Sequence, residues 1–372
     1  MFLFLFSCSV PYYQEAATKL REGHFQDAEK KLAKADLPYT QTNEAALFLL
    51  SRAMVYFQSG DYQRSCRDFE KALDASDYYQ QNSPIEIAGQ TLLQDDIGAY
   101  VPPPFEQALA RFYQALSFLH QGQENNAAAT VYYLENHLHP KDQNPLTSFL
   151  LATLLQKRGD CSNARILYSR LKIEPPRGNV LLVHHRGIAP HKKSEMAAPS
   201  ILSAALLEKI LQMNDVQPAL STLTGVPIPV LYHPTRPPQT LKIDHKLHQP
   251  ALIYDISQAA ENHLEAEMPW TAARAAARML LRRGVVASTK KDYQPLADIA
   301  MLISNIATQA DTRSWAMLPS CIDLYHLDLQ PGQHQIQVGR QTYTITIQPK
   351  ELNIVEIFQP SSENIFITQE TS

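Results

Sequence analysis

Cysteine, glycine and tryptophan are all scarce in this chain, and the shortage of cysteine excludes one class of protein. The sequence has 372 residues, with four cysteines, twelve glycines and two tryptophans. The cysteines lie far apart and include no C-x-x-C pair: Cys8, Cys66, Cys161 and Cys321. No disulfide framework is therefore predicted.

The chain also lacks a strong excess of either charge. Its 33 basic and 37 acidic residues give a net charge of -4 and are spread along the whole sequence. Proteins that bind nucleic acid usually concentrate lysine and arginine on one surface. We therefore expect no nucleic-acid partner.

Common catalytic motifs are missing as well. The sequence has no G-x-S-x-G elbow, no H-E-x-x-H metal motif, no phosphate-binding loop and no dinucleotide-binding glycine fingerprint. Ser288-Thr289-Lys290-Lys291 has the S-x-x-K pattern of penicillin-recognising enzymes, but the S-D-N and K-T-G partner motifs are absent. We predict a protein that is not an enzyme and that uses no cofactor and no metal.

The N-terminal apolar run is short. Phe2-Leu3-Phe4-Leu5-Phe6 cannot cross a bilayer, but Leu5-Phe6-Ser7-Cys8 resembles the bacterial lipobox, in which a small residue precedes a lipidated cysteine. We expect lipidation of Cys8, which would tether the protein to a membrane surface. The alternative is an apolar strand or helix start that packs against the following helices.

A repeated helix-turn-helix pattern covers residues 9–172. Four glycines mark its turns: Gly23, Gly60, Gly122 and Gly159. Gly60-Asp61-Tyr62 with Ser65 and Phe69 matches the turn and second helix of a tetratricopeptide repeat. The intervals from Gly23 to Gly60 and from Gly122 to Gly159 are both 37 residues, slightly longer than the standard repeat. We expect a stack of helix pairs.

Such a stack has a concave groove that commonly receives a partner peptide or helix. Tyr56, Tyr62 and Tyr113 are candidates to line it, because an aromatic ring with a polar tip suits an interface. Packing between the helices is the alternative role for these tyrosines. The groove is the first candidate partner-binding surface.

The second half, residues 173–360, mixes strands and helices. Helices are predicted over Ser257 to Glu267, ending at Pro269, and over Trp270 to Arg283. Four strands follow, at 322–329, 334–338, 343–347 and 354–358. Gln330-Pro331-Gly332-Gln333 favours a hairpin between the first two of these strands, so an antiparallel meander is expected. Residues 361–372 are polar and are expected to be loose.

Several motifs together resemble one bacterial family. They are the segment from Val183-His184-His185-Arg186 to His191-Lys192-Lys193, Asp311-Thr312-Arg313-Ser314-Trp315 with Leu318-Pro319, Leu329-Gln330-Pro331-Gly332, and Tyr100 with Pro104-Phe105-Glu106. They are similar to a family of tetratricopeptide-repeat lipoproteins without assigned activity. The resemblance implies a cell-envelope location, since genes of that family often neighbour those of outer-membrane lipoproteins that activate penicillin-binding proteins.

Some of these motif residues are candidate contacts for a partner. Arg313 is expected to clamp a carboxylate and Trp315 to stack on a ligand ring, or both to anchor a helix-to-strand junction. Lys192 and Lys193 are expected on a loop with Arg186 nearby, either contacting an acidic partner or simply solvated. His184 and His185 point to opposite faces of a strand, so they do not favour a metal site.

The fold class we predict is α+β: an all-α tetratricopeptide-like array at residues 9–172, after a signal or lipobox segment at residues 1–8, and then a mixed domain. The functional hypothesis is a non-enzymatic, membrane-tethered envelope scaffold or adaptor that holds protein partners in its groove. One rival is an envelope hydrolase or small-ligand-binding protein built around Arg313 and Trp315. The other is a cytoplasmic adaptor.

Overall fold

A computed structural model describes residues 11–33, 44–81, 99–137, 143–211, 216–282, 310–350 and 352–369. Within these ranges the architecture is α+β, with helices in the first half and mostly antiparallel sheets in the second. None of the helices in these ranges has both the length and the apolar composition needed to cross a membrane.

The first half consists of eight described helices. They are α1 (Pro11–Arg21), α2 (Phe25–Ala33), α3 (Ala45–Ser59), α4 (Tyr62–Gln81), α5 (Pro104–His120), α6 (Glu124–His137), α7 (Pro145–Lys157) and α8 (Cys161–Leu171). Successive helices pack as four hairpins, α1 with α2, α3 with α4, α5 with α6 and α7 with α8. The helix pairs expected from the sequence are therefore present.

A glycine in a left-handed backbone conformation closes each hairpin. The φ angles of Gly23, Gly60, Gly122 and Gly159 are 78°, 84°, 68° and 80°. Only glycine adopts this conformation without steric cost, and it lets the chain turn back within a few residues. The regular spacing of glycine in the sequence therefore has a direct structural cause.

The second half contains eleven described strands. They are β1 (Val180–Arg186), β2 (His191–Ala197), β3 (Val226–Tyr232), β4 (Leu241–Ile243), β5 (Lys246–Leu247), β6 (Leu252–Asp255), β7 (Cys321–Leu327), β8 (Gly332–Val338), β9 (Gln341–Ile347), β10 (Asn353–Gln359) and β11 (Phe366–Gln369). A five-stranded sheet has the order β11-β10-β1-β7-β6, and a four-stranded sheet has the order β5-β4-β8-β9. In the first, β1 pairs parallel with β10 and antiparallel with β7.

The five-stranded sheet is buried on both faces. Along β1, Val180 and Leu182 pack against the four-stranded sheet, whereas Leu181 and Val183 pack against the helices. Every residue of β1 and β10 is buried, as expected for central strands covered on two sides. The molecule thus has three layers, in the order helices, five-stranded sheet, four-stranded sheet.

A smaller cluster lies beside these layers. It contains the ribbon of β2 and β3 and three helices, α9 (Ala204–Leu211), α10 (Gln217–Leu220) and α11 (Ile256–Arg282). Leu207 and Val226 pack there against an alanine-rich face of α11 that includes Ala276. This cluster places α11 next to β3.

The prediction that Pro269 separates two helices is wrong. One helix, α11, runs through Pro269. Proline cannot donate a hydrogen bond to the carbonyl of Glu265, but both residues are exposed, so the break in the hydrogen-bond pattern lies on the solvent side of the helix. Burial of Ile256 on one side of Pro269 and of Ala272 on the other holds the helix in place.

The expected C-terminal meander is also wrong. β7 is central, with β1 and β6 on its two edges, so it has no free edge for β8. The chain instead crosses at Gly332 to the other sheet, where β8 pairs with β4 and β9. Of the four strands predicted here, only the second and third, β8 and β9, pair with each other as a hairpin.

Residues 361–372 are not a loose tail throughout. Residues 366–369 form β11, which pairs antiparallel with β10 at the edge of the five-stranded sheet. The ring of Phe366 packs edge to face on Phe25, with ring centroids 5.7 Å apart. Burial of this aromatic ring against the first hairpin explains why the polar segment is ordered.

Candidate functional site

The inner surface of the helical hairpins is covered by the five-stranded sheet of the same chain. The hydroxyl oxygen of Tyr113 on α5 lies 3.1 Å from Nδ1 of His185 on β1. The ring of Phe57 on α3 packs edge to face on Phe358 of β10, at a centroid distance of 6.0 Å. The surface on which a partner was expected is therefore occupied internally.

A buried polar cluster joins the two layers. The carboxylate of Glu356 accepts hydrogen bonds from Nε2 of His185 at 2.6 Å and from Nε2 of His120 at 3.3 Å. Burial opposes ionisation of Glu356, but the hydrogen bonds to both histidines outweigh it and lower the pKa of the carboxyl below its ordinary value. The cluster fixes the sheet against α5.

The three groove tyrosines therefore have packing roles. Tyr113 is fully buried and Tyr56 is nearly so, with the guanidinium of Arg64 4.3 Å from its ring centroid. Tyr62 is half-buried and stacks on the ring of His120 at 4.3 Å. The expectation that these residues line an open groove is wrong, because the sheet fills that space.

Arg186 is also an internal residue rather than a surface contact. Its guanidinium forms a two-point ion pair with the carboxylate of Asp323, at 2.6 and 3.0 Å, and donates a third hydrogen bond to the carbonyl of Pro237. Both charged side chains are buried. Arg186 thus stabilises the contact between β1 and β7.

Three other predicted residues converge on one open feature. Lys192, Arg313 and Trp315 come from different parts of the sequence and surround a cleft between the start of α5, the strand β2 and the helix α11. We call this the Lys192 cleft. Its open part has a volume of about 270 Å³ and is lined by Tyr100, Lys192, His263, Thr271, Arg274 and Arg313, among others.

A small inner cavity extends from the cleft. It has a volume of about 30 Å³ and shares Lys192 and His263 with the open part. Its remaining walls are mostly apolar and include Phe105, Leu231, Ile256 and Leu318, with Glu106 and Trp315 also contributing. The cleft therefore combines a polar outer part with a narrow, mostly apolar inner part.

Glu106 is the buried acid of the inner cavity. Its carboxylate accepts a hydrogen bond from the hydroxyl of Tyr100 at 2.5 Å and one from the backbone N–H of Trp315 at 3.4 Å. Burial raises the pKa of the Glu106 carboxyl, and the nearby charge of Lys192 only partly offsets this. The cavity therefore disfavours a negative charge on Glu106.

Arg313 is held by a neighbour in sequence. Its guanidinium pairs with the carboxylate of Asp311, with the closest contact at 2.8 Å, and lies 5.8 Å from the ring centroid of Tyr100. The side chain of Trp315 is buried and contacts Phe69 and Tyr113 edge to face. Arg313 thus borders the cleft, and Trp315 links its inner cavity to the helices.

The two lysines lie on a strand, not on a loop as expected. Both belong to β2, and adjacent residues on a strand point to opposite faces. Lys192 faces the cleft, whereas the Nζ atom of Lys193 lies 4.0 Å from the ring centroid of Tyr232. The two lysines therefore have different surroundings despite being neighbours.

The other predicted site positions add no second site. Cys8 lies outside the described residues. Among the described histidines, cysteines and carboxylates, no group of three has an arrangement that would hold a metal ion. His184, for example, hydrogen bonds to the side chain of Gln359 at 2.9 Å.

Two titratable residues of the inner cavity, Glu106 and His263, were not singled out from the sequence as site residues. Glu106 appeared only in a motif that carried the family resemblance, and His263 did not appear at all. A glutamate in the first turn of a helix ordinarily indicates a favourable interaction with the helix dipole, so its burial was not evident. Glu106 is buried by residues from three distant segments, and burial of that kind leaves no local pattern in the sequence.

Comparison of the chain with protein-family models, with curated proteins and with solved structures found no match. The chain is thus an α+β protein in which Lys192, Arg313 and Trp315, three of the residues predicted from the sequence, border the same polar cleft.

Proposed function

We propose that this protein is a non-enzymatic, membrane-tethered scaffold or adaptor of the bacterial cell envelope, and that it binds its partner in the Lys192 cleft. The helical half is proposed to be a tetratricopeptide-like array, whose inner surface carries the protein's own sheet. Lipidation of Cys8 is proposed to tether the chain on the periplasmic side.

The helical hairpins and the N-terminal motif support the two structural parts of this proposal. Four hairpins with left-handed glycines, two pairs of which are 37 residues apart, agree in length and bend with tetratricopeptide repeats. Ser7-Cys8 after an apolar run agrees with a lipidation site.

One observation carries the choice of binding surface. Lys192 and Arg313 border an open cleft with Trp315 in its inner cavity, whereas Tyr56 and Tyr113 are buried. A partner needs accessible groups with directional chemistry, and the cleft supplies lysine, arginine and histidine side chains around an apolar interior. The cleft is therefore the surface that best fits recognition.

Photo-crosslinking in bacterial cells tests the proposal. A crosslinking amino acid replaces Val101, which lines the cleft and is 38% exposed. The control replaces Leu247, which is 59% exposed on the four-stranded sheet. We expect a defined adduct in the envelope fraction from position 101 and none from position 247. Equal adducts from both positions, or none from position 101, would contradict a partner in the cleft.

A second candidate function is a small-ligand-binding protein or hydrolase that uses the same cleft. It is favoured by the buried carboxyl of Glu106, which has a raised pKa and lies beside the inner cavity. Raised carboxyl pKa values are a property of catalytic acids. Hydrolysis of ester or amide substrates that is lost in Glu106→Gln while the fold is retained would favour the hydrolase.

A further inference from the structure

The inner cavity of the Lys192 cleft contains two hydrogen-bond donors without partners. The Nε1 atom of Trp315 is buried and forms no hydrogen bond with any described residue. Lys192, which is half-buried, forms neither a hydrogen bond nor an ion pair within the described ranges. Buried polar groups are nearly always paired, so the buried indole N–H of Trp315 calls for an acceptor, and the half-buried Lys192 lines the same cavity.

The third polar group at the cavity mouth is also without a partner of its own. His263 shows no hydrogen bond to a described residue, and its ring packs 6.1 Å from that of Phe105. Burial lowers the pKa of His263, and the charge of Lys192 lowers it further, so the imidazole is neutral near pH 7. A neutral imidazole donates one hydrogen bond and accepts another.

Cavity size limits the group that enters. A volume of about 30 Å³ holds roughly two water molecules, which is comparable to a carboxylate and too small for an aromatic ring. The open part, at about 270 Å³, accommodates a larger body attached to that group. The apolar wall formed by Leu231, Ile256 and Leu318 suits an aliphatic carbon next to it.

We propose that the inner cavity binds the carboxylate of an aliphatic acid, with Lys192 and the indole N–H of Trp315 as its donors and the rest of the ligand in the open cleft. The inference rests on the proposed function, since it names the ligand chemistry of the same cleft. A peptide C-terminus and a free short-chain acid present this same group.

The carboxyl group of Glu106 lines the same inner cavity as the proposed carboxylate, so the two groups would repel each other if both were charged. Both of its oxygens already accept a hydrogen bond, from Tyr100 and from the backbone of Trp315. Because burial raises the pKa of Glu106, a second negative charge in the cavity favours its protonated form, which donates a hydrogen bond to the ligand. Neutralising Glu106 should therefore not weaken the binding of an acid.

Trp315 is its own reporter for the test. The second tryptophan, Trp270, is 38% exposed on α11, so a Trp270→Phe background leaves Trp315 as the sole indole fluorophore. This protein is titrated with propionate, with N-acetyl-Ala-Ala and with the carboxamide of N-acetyl-Ala-Ala. We expect saturable emission changes with the two acids and at least tenfold weaker binding of the carboxamide. If the dipeptide binds more tightly than propionate, the bound carboxylate is that of a peptide C-terminus. If propionate binds more tightly, the ligand is a free short-chain acid.

Matched variants separate charge from folding. Lys192→Met should weaken acid binding at least tenfold, whereas Lys193→Met, the adjacent lysine on the other face of β2, should leave it unchanged. Glu106→Gln should bind the acids at least as tightly as the parent protein. Thermal unfolding followed by circular dichroism identifies any variant that fails to fold, and Lys192→Gln, which also removes the charge, replaces Lys192→Met if that variant does not fold.

The inference is overturned if the carboxamide binds as tightly as the acid, if neither acid gives a saturable change, or if both lysine variants behave alike. Tenfold weaker binding in Glu106→Gln would overturn it as well, because a neutral side chain at this position is expected to bind an acid at least as tightly. If any of these results is found while the crosslink from position 101 is still observed, the carboxylate ligand is contradicted but the proposed function is not. Loss of that crosslink contradicts the proposed function itself.

Discussion

The hydroxyl of Tyr113 and the Nδ1 atom of His185 lie 3.1 Å apart in the interior, across the contact between the helices and the five-stranded sheet. The other ring nitrogen of His185 hydrogen bonds to Glu356. The contact between the helices and the five-stranded sheet thus contains a connected set of polar groups from α5, β1 and β10. Such a set stabilises one relative position of the layers.

Removing the acid of this set should destabilise the protein strongly. Glu356→Ala leaves the Nε2 atoms of His120 and His185 without their shared acceptor, so we expect the free energy of unfolding to fall by about 3 kcal/mol. Tyr113→Phe removes one hydrogen bond and should cost about 1 kcal/mol. Urea unfolding measures both. A smaller loss for Glu356→Ala than for Tyr113→Phe would contradict the description of this cluster.

The ion pair of Arg186 and Asp323 should show strong coupling. Asp323→Ala leaves a buried guanidinium without its partner and should cost about 3 to 5 kcal/mol. Replacing both residues with apolar ones, Arg186→Met with Asp323→Leu, should recover most of that loss. The measurement is a double-mutant cycle by urea unfolding. Additive losses in the double variant would show that the pair does not act as a unit.

Gly23 and Gly122 have similar φ angles but different surroundings. An added Cβ at Gly23 would lie 2.3 Å from the Phe366 ring, whereas at Gly122 it would meet nothing within 4 Å. We expect Gly122→Ala to cost about 1 kcal/mol for its left-handed backbone, and Gly23→Ala to cost at least twice that. Thermal unfolding compares them. Adding Phe366→Leu to Gly23→Ala should reduce the difference, and equal losses in the two single variants would contradict it.

His326 should make stability depend on pH. Burial lowers the pKa of His326 to about 4, and an unfolded histidine has a pKa of 6.5. Its contribution to stability is therefore complete above pH 6.5 and is lost as the pH falls towards 4, by about 3 kcal/mol at most. His326→Leu should flatten the decline of unfolding free energy over this range. An unchanged slope would show that other groups cause the decline.

Cys8 should carry the membrane anchor. In cells supplied with a fatty-acid analogue, we expect labelling of the protein to disappear in Cys8→Ala, because the thiol is the lipidation site of the motif. The control is Cys161→Ala, since Cys161 is exposed and unpaired with another cysteine. Labelling that persists in Cys8→Ala would contradict the proposal that Cys8 is the lipidated residue.

The local features of the fold could be predicted from the sequence because they depend on neighbouring residues. Gly60 bends a hairpin through its own backbone, and the strands predicted at 322–329 and 354–358 are present as β7 and β10. The break expected at Pro269 was wrong, because packing of the flanking alanines outweighs one missing hydrogen bond.

The long-range features could not be predicted in the same way. Tyr113 has the composition of an interface residue, and it does lie at an interface, but with a sheet of the same chain. Lys192 and Trp315 were identified as candidates by their motifs, yet only the fold brings them to the same cavity as Glu106. A sequence pattern gives the chemistry of a residue, but not which distant segment it meets.

The contact between Phe366 and the turn at Gly23 also bears on how the chain is made. Ribosomes synthesise the first helical hairpin long before the strand that covers it, so the apolar surface of this hairpin stays uncovered until β11 has been made. Contacts between such distant segments form slowly. A newly made chain of this protein is therefore expected to depend on chaperones until β11 has been synthesised and has paired with β10.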